Sequence, residues 1–179
     1  MTPAKSTAKL ATLAALVLGL AACDAPAGQA GRNRPTIAGE TRGEGVVLSV
    51  VDGDTLHLAI GESRETVRLI GINTPETKHP TKGVECFGPE ASAFLTRLLP
   101  PGTRVRIERD AEARDAYRRL LLYVFLPAED GERFVNLEIV ARGYAVPLSI
   151  EPNTRYQQYF VELSFDAQQN SRGLWGACK

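Results

Sequence analysis

Apolar positions along this chain change their period several times, and each change marks an element. Leu10 to Leu20 is an eleven-residue apolar run without charge, preceded by Lys5 and Lys9. At 1.5 Å per residue it reaches about half of a roughly 30 Å hydrocarbon core, so a stable membrane-spanning helix is not expected. A positive start, an apolar middle and small residues after it read as a secretory signal over residues 1–22. Residues 24–43 hold Ala, Gly, Pro, Arg and Thr with no hydrophobic period. They cannot bury enough surface to order themselves and read as a tether, leaving one domain over 44–179.

Within that domain, Val46 to Val51 is a β-branched apolar run that ends at the turn dipeptide Asp52-Gly53. Leu56, Leu58 and Ile60 alternate with Thr55, His57 and Ala59 as in a half-buried strand. After Gly61-Glu62-Ser63, Val67 and Leu69 face one side of a third strand and Arg68 the other. Residues 73–88 are polar and broken by Pro75, Pro80, Gly83 and Gly88, which makes them a long loop. Pro89 suits the first turn of a helix through Leu99, with Ala91, Phe94, Leu95 and Leu98 on one stripe. Val105 and Ile107 mark a fourth strand, and Leu120 to Leu126 a fifth, turned at Glu129-Asp130-Gly131. Asn136 to Arg142 reads as a short helix, and Asn153 with Thr154 as the cap of a last helix reaching about Asn170. This order predicts an α+β, mainly β domain: a five-stranded OB-fold barrel with three packed helices.

Composition narrows the picture modestly. Of 179 residues, 44% are hydrophobic and 23% charged, as in a soluble globular chain. Twenty-one basic side chains balance 21 acidic ones, and the domain itself carries 16 against 19, a net charge of −3. A binder that holds nucleic acid by bulk positive charge is thereby excluded.

Two polar clusters stand out on this scaffold, Asp52-Gly53-Asp54-Thr55 at a strand turn and Asn73-Thr74-Pro75-Glu76 after the third strand. Together they offer hard oxygen ligands of the kind Ca²⁺ or Mg²⁺ takes. An EF-hand is excluded by counting from Asp52, since the sixth position is His57 rather than Gly and the twelfth is Ser63 rather than Glu. Standing alone, Asp-Gly-Asp would be a hairpin turn. Phosphodiester hydrolysis needs a base to activate water, a cation on the phosphate oxygens and fixed positive groups for the developing charge. One glutamate, one oxygen cluster and two guanidiniums would supply these, but spacing does not select the arginines.

A resemblance does. Val51 to Thr55, then Arg68-Leu69-Ile70-Gly71-Ile72-Asn73-Thr74-Pro75-Glu76-Thr77-Lys78-His79-Pro80, resembles the staphylococcal nuclease family. The likeness continues through Lys82-Gly83-Val84-Glu85, Gly88 to Phe94, Asp115-Ala116-Tyr117-Arg118-Arg119 and Gly173-Leu174-Trp175. It implies an OB-fold barrel with three helices and a Ca²⁺-dependent nuclease that cuts DNA and RNA, leaving 3′-phosphates. By position it implies Asp54 as a direct metal ligand, Thr74 as a ligand through its carbonyl, and Asn73 where the family has an aspartate ligand. Glu76 matches the general base, Arg68 and Arg119 the phosphate clamp, Asp52 a group just behind the metal, and Tyr117 and Lys82 residues near the nucleotide phosphates. The chain departs from the family at Arg118 (a glycine there), Ala116 (a lysine), and Leu148 and Ile150 (tyrosines). Base stacking contributes roughly 1–3 kcal/mol per base, so looser substrate binding is expected. A noncatalytic OB module that binds nucleic acid is the alternative, against which stands the presence of Arg68, Glu76 and Arg119 together. An envelope scaffold would leave the polar clusters without purpose.

Leu20-Ala21-Ala22-Cys23 resembles the lipobox of bacterial lipoproteins, in which the cysteine becomes the lipid-bearing N-terminus. The expected product is a monomer carried across the bacterial inner membrane and anchored in the cell envelope through Cys23. His57, His79 and Cys86 lack zinc-site spacing. With Cys23 lipidated, Cys86 and Cys178 remain in an oxidising compartment, where a disulfide is expected in preference to two free thiols.

Overall fold

The computed structural model describes residues 42–77, 83–129 and 131–178. The expected signal peptide, Cys23, the tether up to residue 41, His79 and Lys82 lie outside these residues. In chain order the strands and helices begin with β1 (Arg42–Asp52), β2 (Thr55–Ile60), β3 (Ser63–Leu69), β4 (Gly71–Asn73) and α1 (Gly88–Leu98). They continue with β5 (Arg104–Glu108), β6 (Leu120–Ala128), β7 (Gly131–Phe134) and α2 (Val135–Ala141). The last are β8 (Val146–Leu148), α3 (Gln157–Gln169) and α4 (Leu174–Ala177).

Strands β1, β2 and β3 form an antiparallel meander, β5 pairs with the other edge of β1, and β6 pairs with β5. A parallel seam then joins β3 to β6, with Val67, Arg68 and Leu69 beside Leu120, Leu121 and Leu122. That seam closes β1, β2, β3, β5 and β6 into a five-stranded barrel of OB type, with α1, α2 and α3 as its three main helices. Register shifts in β1 between Val47 and Ser49, and between Val50 and Asp52, bend the strand toward the β1–β2 turn.

Leu56, Leu58, Val67, Leu69 and Leu122 are almost wholly buried and fill the barrel. Strand β6 is buried at Leu122, Tyr123, Val124 and Phe125 in succession, because the barrel covers one face and packed elements the other. Asn136 of α2 is buried with its amide fully used. Its Oδ1 accepts the Val124 N–H at 3.0 Å, and its Nδ2 donates to the carbonyls of Ile70 (2.9 Å) and Leu122 (3.2 Å). Gly71 follows the seam at φ 83°, and a Cβ there would lie 2.2 Å from the Phe160 ring. Both the left-handed backbone and the approach of α3 therefore require glycine.

The five barrel strands and three helices follow the sequence pattern, with particular differences. Strand β1 starts at Arg42, two residues inside the stretch read as tether, because Arg42 and Gly43 pair with Glu108 and Ile107. The β6–β7 hairpin and the β4–β8 pair are additional. Helix α3 starts at Gln157, with Tyr156 as its cap residue, rather than at Asn153 or Thr154. Asn153 is engaged elsewhere: its amide accepts the Glu112 N–H at 2.7 Å and donates to the Glu112 carbonyl at 3.1 Å.

Candidate active site

Asp54 sits at the β1–β2 turn, and its carboxylate is the fixed point of the site. One oxygen accepts from the Thr74 N–H and Oγ–H, each at 3.0 Å, and meets an Arg68 guanidinium nitrogen at 3.0 Å. The other accepts from the Thr55 hydroxyl at 2.9 Å. Gly53 makes this closeness possible, since a Cβ there would stand 2.8 Å from the Thr74 side chain. The two polar clusters that are separated in sequence thus become one corner.

Arg68 reaches this corner from the seam-facing end of β3. Its second terminal nitrogen donates to Asn73 Oδ1 at 3.1 Å. Burial pushes the guanidinium down from its ordinary value; Asp54 opposes that and nearby Arg119 adds to it. Arginine nevertheless stays charged. Two guanidiniums held near each other make a place for an anion.

Arg119 lies just before β6, so the β3–β6 seam is what brings it beside Arg68. Asp115 fixes it: one carboxylate oxygen accepts the Arg119 Nε–H at 2.7 Å, the other the backbone N–H groups of Tyr117 (3.0 Å) and Arg119 (2.9 Å). Arg118 completes this turn at φ 64°. Tyr117 is 82% exposed, with the Arg119 guanidinium 5.5 Å from its ring centre.

Glu76 faces the corner from the loop after β4. Its Oε1 accepts the Thr77 N–H at 3.0 Å. Burial raises Asp52 above its ordinary value, and the adjoining Glu76 carboxyl raises it further, against the N–H groups of Gly53 and Thr77. Two carboxyl groups therefore share one corner, a repulsive pairing that a cation would relieve.

Asp54, Thr55, Thr74, Arg68, Asp115, Arg119 and Glu76 line one cavity of about 780 Å³, together with Leu148, Ile150 and Asn153. Of the residues expected from sequence, Asp52, Asp54, Arg68, Asn73, Thr74, Glu76, Tyr117 and Arg119 are brought together there. Lys82 lies outside the described residues. Cys86 and Cys178 are joined in a disulfide, Cα to Cα 5.9 Å, away from the cavity lining. His57 is hydrogen-bonded to Thr66. Among the described residues no three carboxylates, histidines or cysteines form a closed metal cage. The donors at the corner are all oxygens, which fits a hard cation that completes its shell with water and substrate phosphate.

Sequence reasoning assigned no role to Asp115, Glu85 or Arg114, and read Asn153 only as a helix cap. Asp115 has a local signal, an aspartate whose side chain caps its own backbone two residues on. Glu85 and Asn153 act across 9 and 41 residues, where no local pattern exists.

Fold and site define a class: a small OB-type barrel with an oxygen-donor corner facing two guanidiniums across the β3–β6 seam. The staphylococcal nuclease homologue family model matches residues 66–177. A thermonuclease of Staphylococcus intermedius is 36% identical over 137 residues, 76% of this chain and 79% of that protein. A thermonuclease of Staphylococcus hyicus is 34% identical over 129 residues, 72% of this chain and 73% of that one. The endonuclease YhcR of Bacillus subtilis is 36% identical over 151 residues, 79% of this chain but 12% of its own length. The chain belongs to the staphylococcal nuclease family.

Proposed function

We propose that this chain is a Ca²⁺-dependent endonuclease that hydrolyses DNA and RNA to 3′-phosphate products and is anchored in the cell envelope through Cys23. That it is a nuclease follows from the family and from the thermonuclease and endonuclease relatives. The observation that carries the finer reading is the meeting of Glu76, Arg68, Arg119 and the Asp54 corner in one cavity.

Arg68 and Arg119 bind the phosphate by charge-assisted hydrogen bonds. Asp54 with Asn73, and Asp115, hold the two guanidiniums where charge grows during attack. Glu76 takes a proton from the water that attacks phosphorus, the P–O5′ bond breaks, and the departing 5′-oxygen takes a proton from solvent water. Asp54 and the Thr74 carbonyl, with Asp52 close behind, would hold the cation. When bound, Ca²⁺ supplies polarisation of a phosphate oxygen and neutralises its charge. The Cys86–Cys178 disulfide supports an exported location, since such bonds persist in oxidising compartments.

One experiment tests activity and location together. Membranes and soluble fractions from cells making the full chain are assayed on single-stranded DNA and RNA, in calcium and in chelator. Cleavage should be membrane-bound, calcium-dependent and reduced at least a hundredfold by Glu76→Ala or Arg119→Ala, as expected for a lost base or clamp (about 10²–10³ or more). Cys23→Ser should move it to the soluble fraction. Undiminished cleavage in chelator, or in both active-site variants, would refute the mechanism; a membrane-bound Cys23→Ser protein would refute the anchor.

A further inference from the structure

We propose that the Cys86–Cys178 disulfide, acting through Glu85, positions Glu76 as the base, so that cleavage depends on the chain being oxidised. The proposal rests on the nuclease reading above, and Glu85, Cys86 and Cys178 are positioning residues, since none lines the cavity.

Glu76 is held at its backbone from both sides by Glu85. The Glu85 N–H donates to the Glu76 carbonyl at 2.9 Å, and the Glu76 N–H donates to Glu85 Oε2 at 2.9 Å. Gly88, at the start of α1, closes on the same stretch: a Cβ there would lie 3.0 Å from the carbonyls of both Pro75 and Glu76. Residues 85–88 therefore hold the backbone that carries the base, while Asp52 at the end of β1 accepts the neighbouring Thr77 N–H at 3.4 Å.

Cys86 is the covalent fastening of that segment. Its partner Cys178 follows α4, which is itself docked: the Leu174 N–H donates to the Gly143 carbonyl at 2.8 Å, and Gly143 and Gly173 touch backbone to backbone. Next to Cys86, Phe87 adopts φ 69°, a conformation an aromatic residue rarely takes. It stacks on Tyr144 at 5.3 Å between ring centres. The crosslink and this stack together hold a strained residue at the point where Glu85 grips Glu76.

A dithiol reductant breaks the sulfur–sulfur bond, giving two thiols by transfer of two electrons and two protons while the dithiol closes into its own disulfide. Phe87 is then free to relax, and the Glu85 grip loosens. Arg68 and Arg119 are held by Asp54, Asn73 and Asp115, which this change does not touch. Reduction should therefore lower kcat and spare KM. Misplacing a reacting group by about 1 Å is enough for losses of order a hundredfold.

The test measures kcat and KM of the full chain on single-stranded DNA in calcium, before and after dithiothreitol, with near-UV circular dichroism to follow the fold. The expected result is a kcat at least about tenfold lower with KM within about twofold, restored by reoxidation. Cys178→Ser should show the same loss without reductant. Glu85→Ala should show it with the disulfide intact, and Glu85→Gln should recover activity because its amide oxygen still accepts the Glu76 N–H. A folded, reduced chain that keeps its kcat overturns the proposal. If the reduced chain unfolds, the Glu85 pair decides, and Glu85→Ala cutting at the parental rate overturns it. An oxidised parent with no cleavage at all instead sinks the nuclease reading on which this one stands.

Discussion

Asn73 illustrates how one atom sets the charge of a site. Its amide oxygen accepts from Arg68, while the only carboxylate on that guanidinium among the described residues is Asp54. On the proposed calcium-dependent reading, an aspartate at 73 would add a full negative charge to the cation's corner, and calcium affinity depends on ligand charge and rigidity. Asn73→Asp should therefore lower the calcium concentration for half-maximal cleavage, which a calcium titration of both proteins would show. Maximal rate need not rise, because the same carboxylate would bind Arg68 more tightly and compete with phosphate for it. An unchanged midpoint would remove position 73 from the cation's surroundings. A second residue-scale lesson comes from Arg119. The family resemblance implies that it is a clamp, but its aim comes from Asp115, which fixes both its backbone and its Nε.

Among the elements, the β3–β6 seam matters most, because it makes neighbours of two arginines far apart in the chain. Arg114 reinforces it. Its guanidinium makes a two-point pair with Glu65 of β3, at 2.8 and 2.9 Å, and also donates to the Arg118 carbonyl at 2.8 Å. The Arg114 hydrogen bond holds the Glu65 carboxyl below its usual range. A depressed folded value means the pair contributes stability above the usual glutamate range and loses it as pH falls through the folded value. Glu65→Gln should lower the melting temperature slightly at pH 7, since the pair is largely solvated. The gap from the parent should close as the pH drops below about 4. The same variant should reduce kcat/KM less than tenfold, by slackening the turn before Arg119; a gap independent of pH would exclude the ion pair as its cause. Such elements differ in how legible they are. Alternation such as Leu56, Leu58 and Ile60 betrays the barrel strands, because one face is buried. Strands β4 and β8 are three residues each, too short to show a period. Asn153 has the side chain of a helix cap but spends it on Glu112, a tertiary choice no local rule contains. The polar clusters were legible as chemistry; their convergence needed the fold.

For the whole molecule, charge determines how a substrate polyanion is held. The domain's net charge of −3 gives no diffuse attraction to nucleic acid, and exposed charges are screened beyond roughly 8 Å at physiological salt. On the proposed mechanism, binding comes from a few fixed contacts, chiefly Arg68 and Arg119, while Leu148 and Ile150 offer the cavity rim apolar surface without aromatic stacking. Each phosphate neutralised on a single strand contributes about −0.7 to the slope of log affinity against log salt. Two guanidiniums predict a slope of roughly −1.4, and Lys82 as a third contact would bring it to roughly −2.1. The measurement is equilibrium binding of a single-stranded oligonucleotide at saturating calcium, made in Glu76→Gln so that the strand survives. In that background Arg119→Ala should flatten the slope by about 0.7, and Lys82→Ala should do so only if that lysine touches phosphate. A slope of −4 or steeper would mean that many more basic groups share the load, and the domain would then be gathering its substrate by an electrostatic surface rather than by a two-arginine clamp.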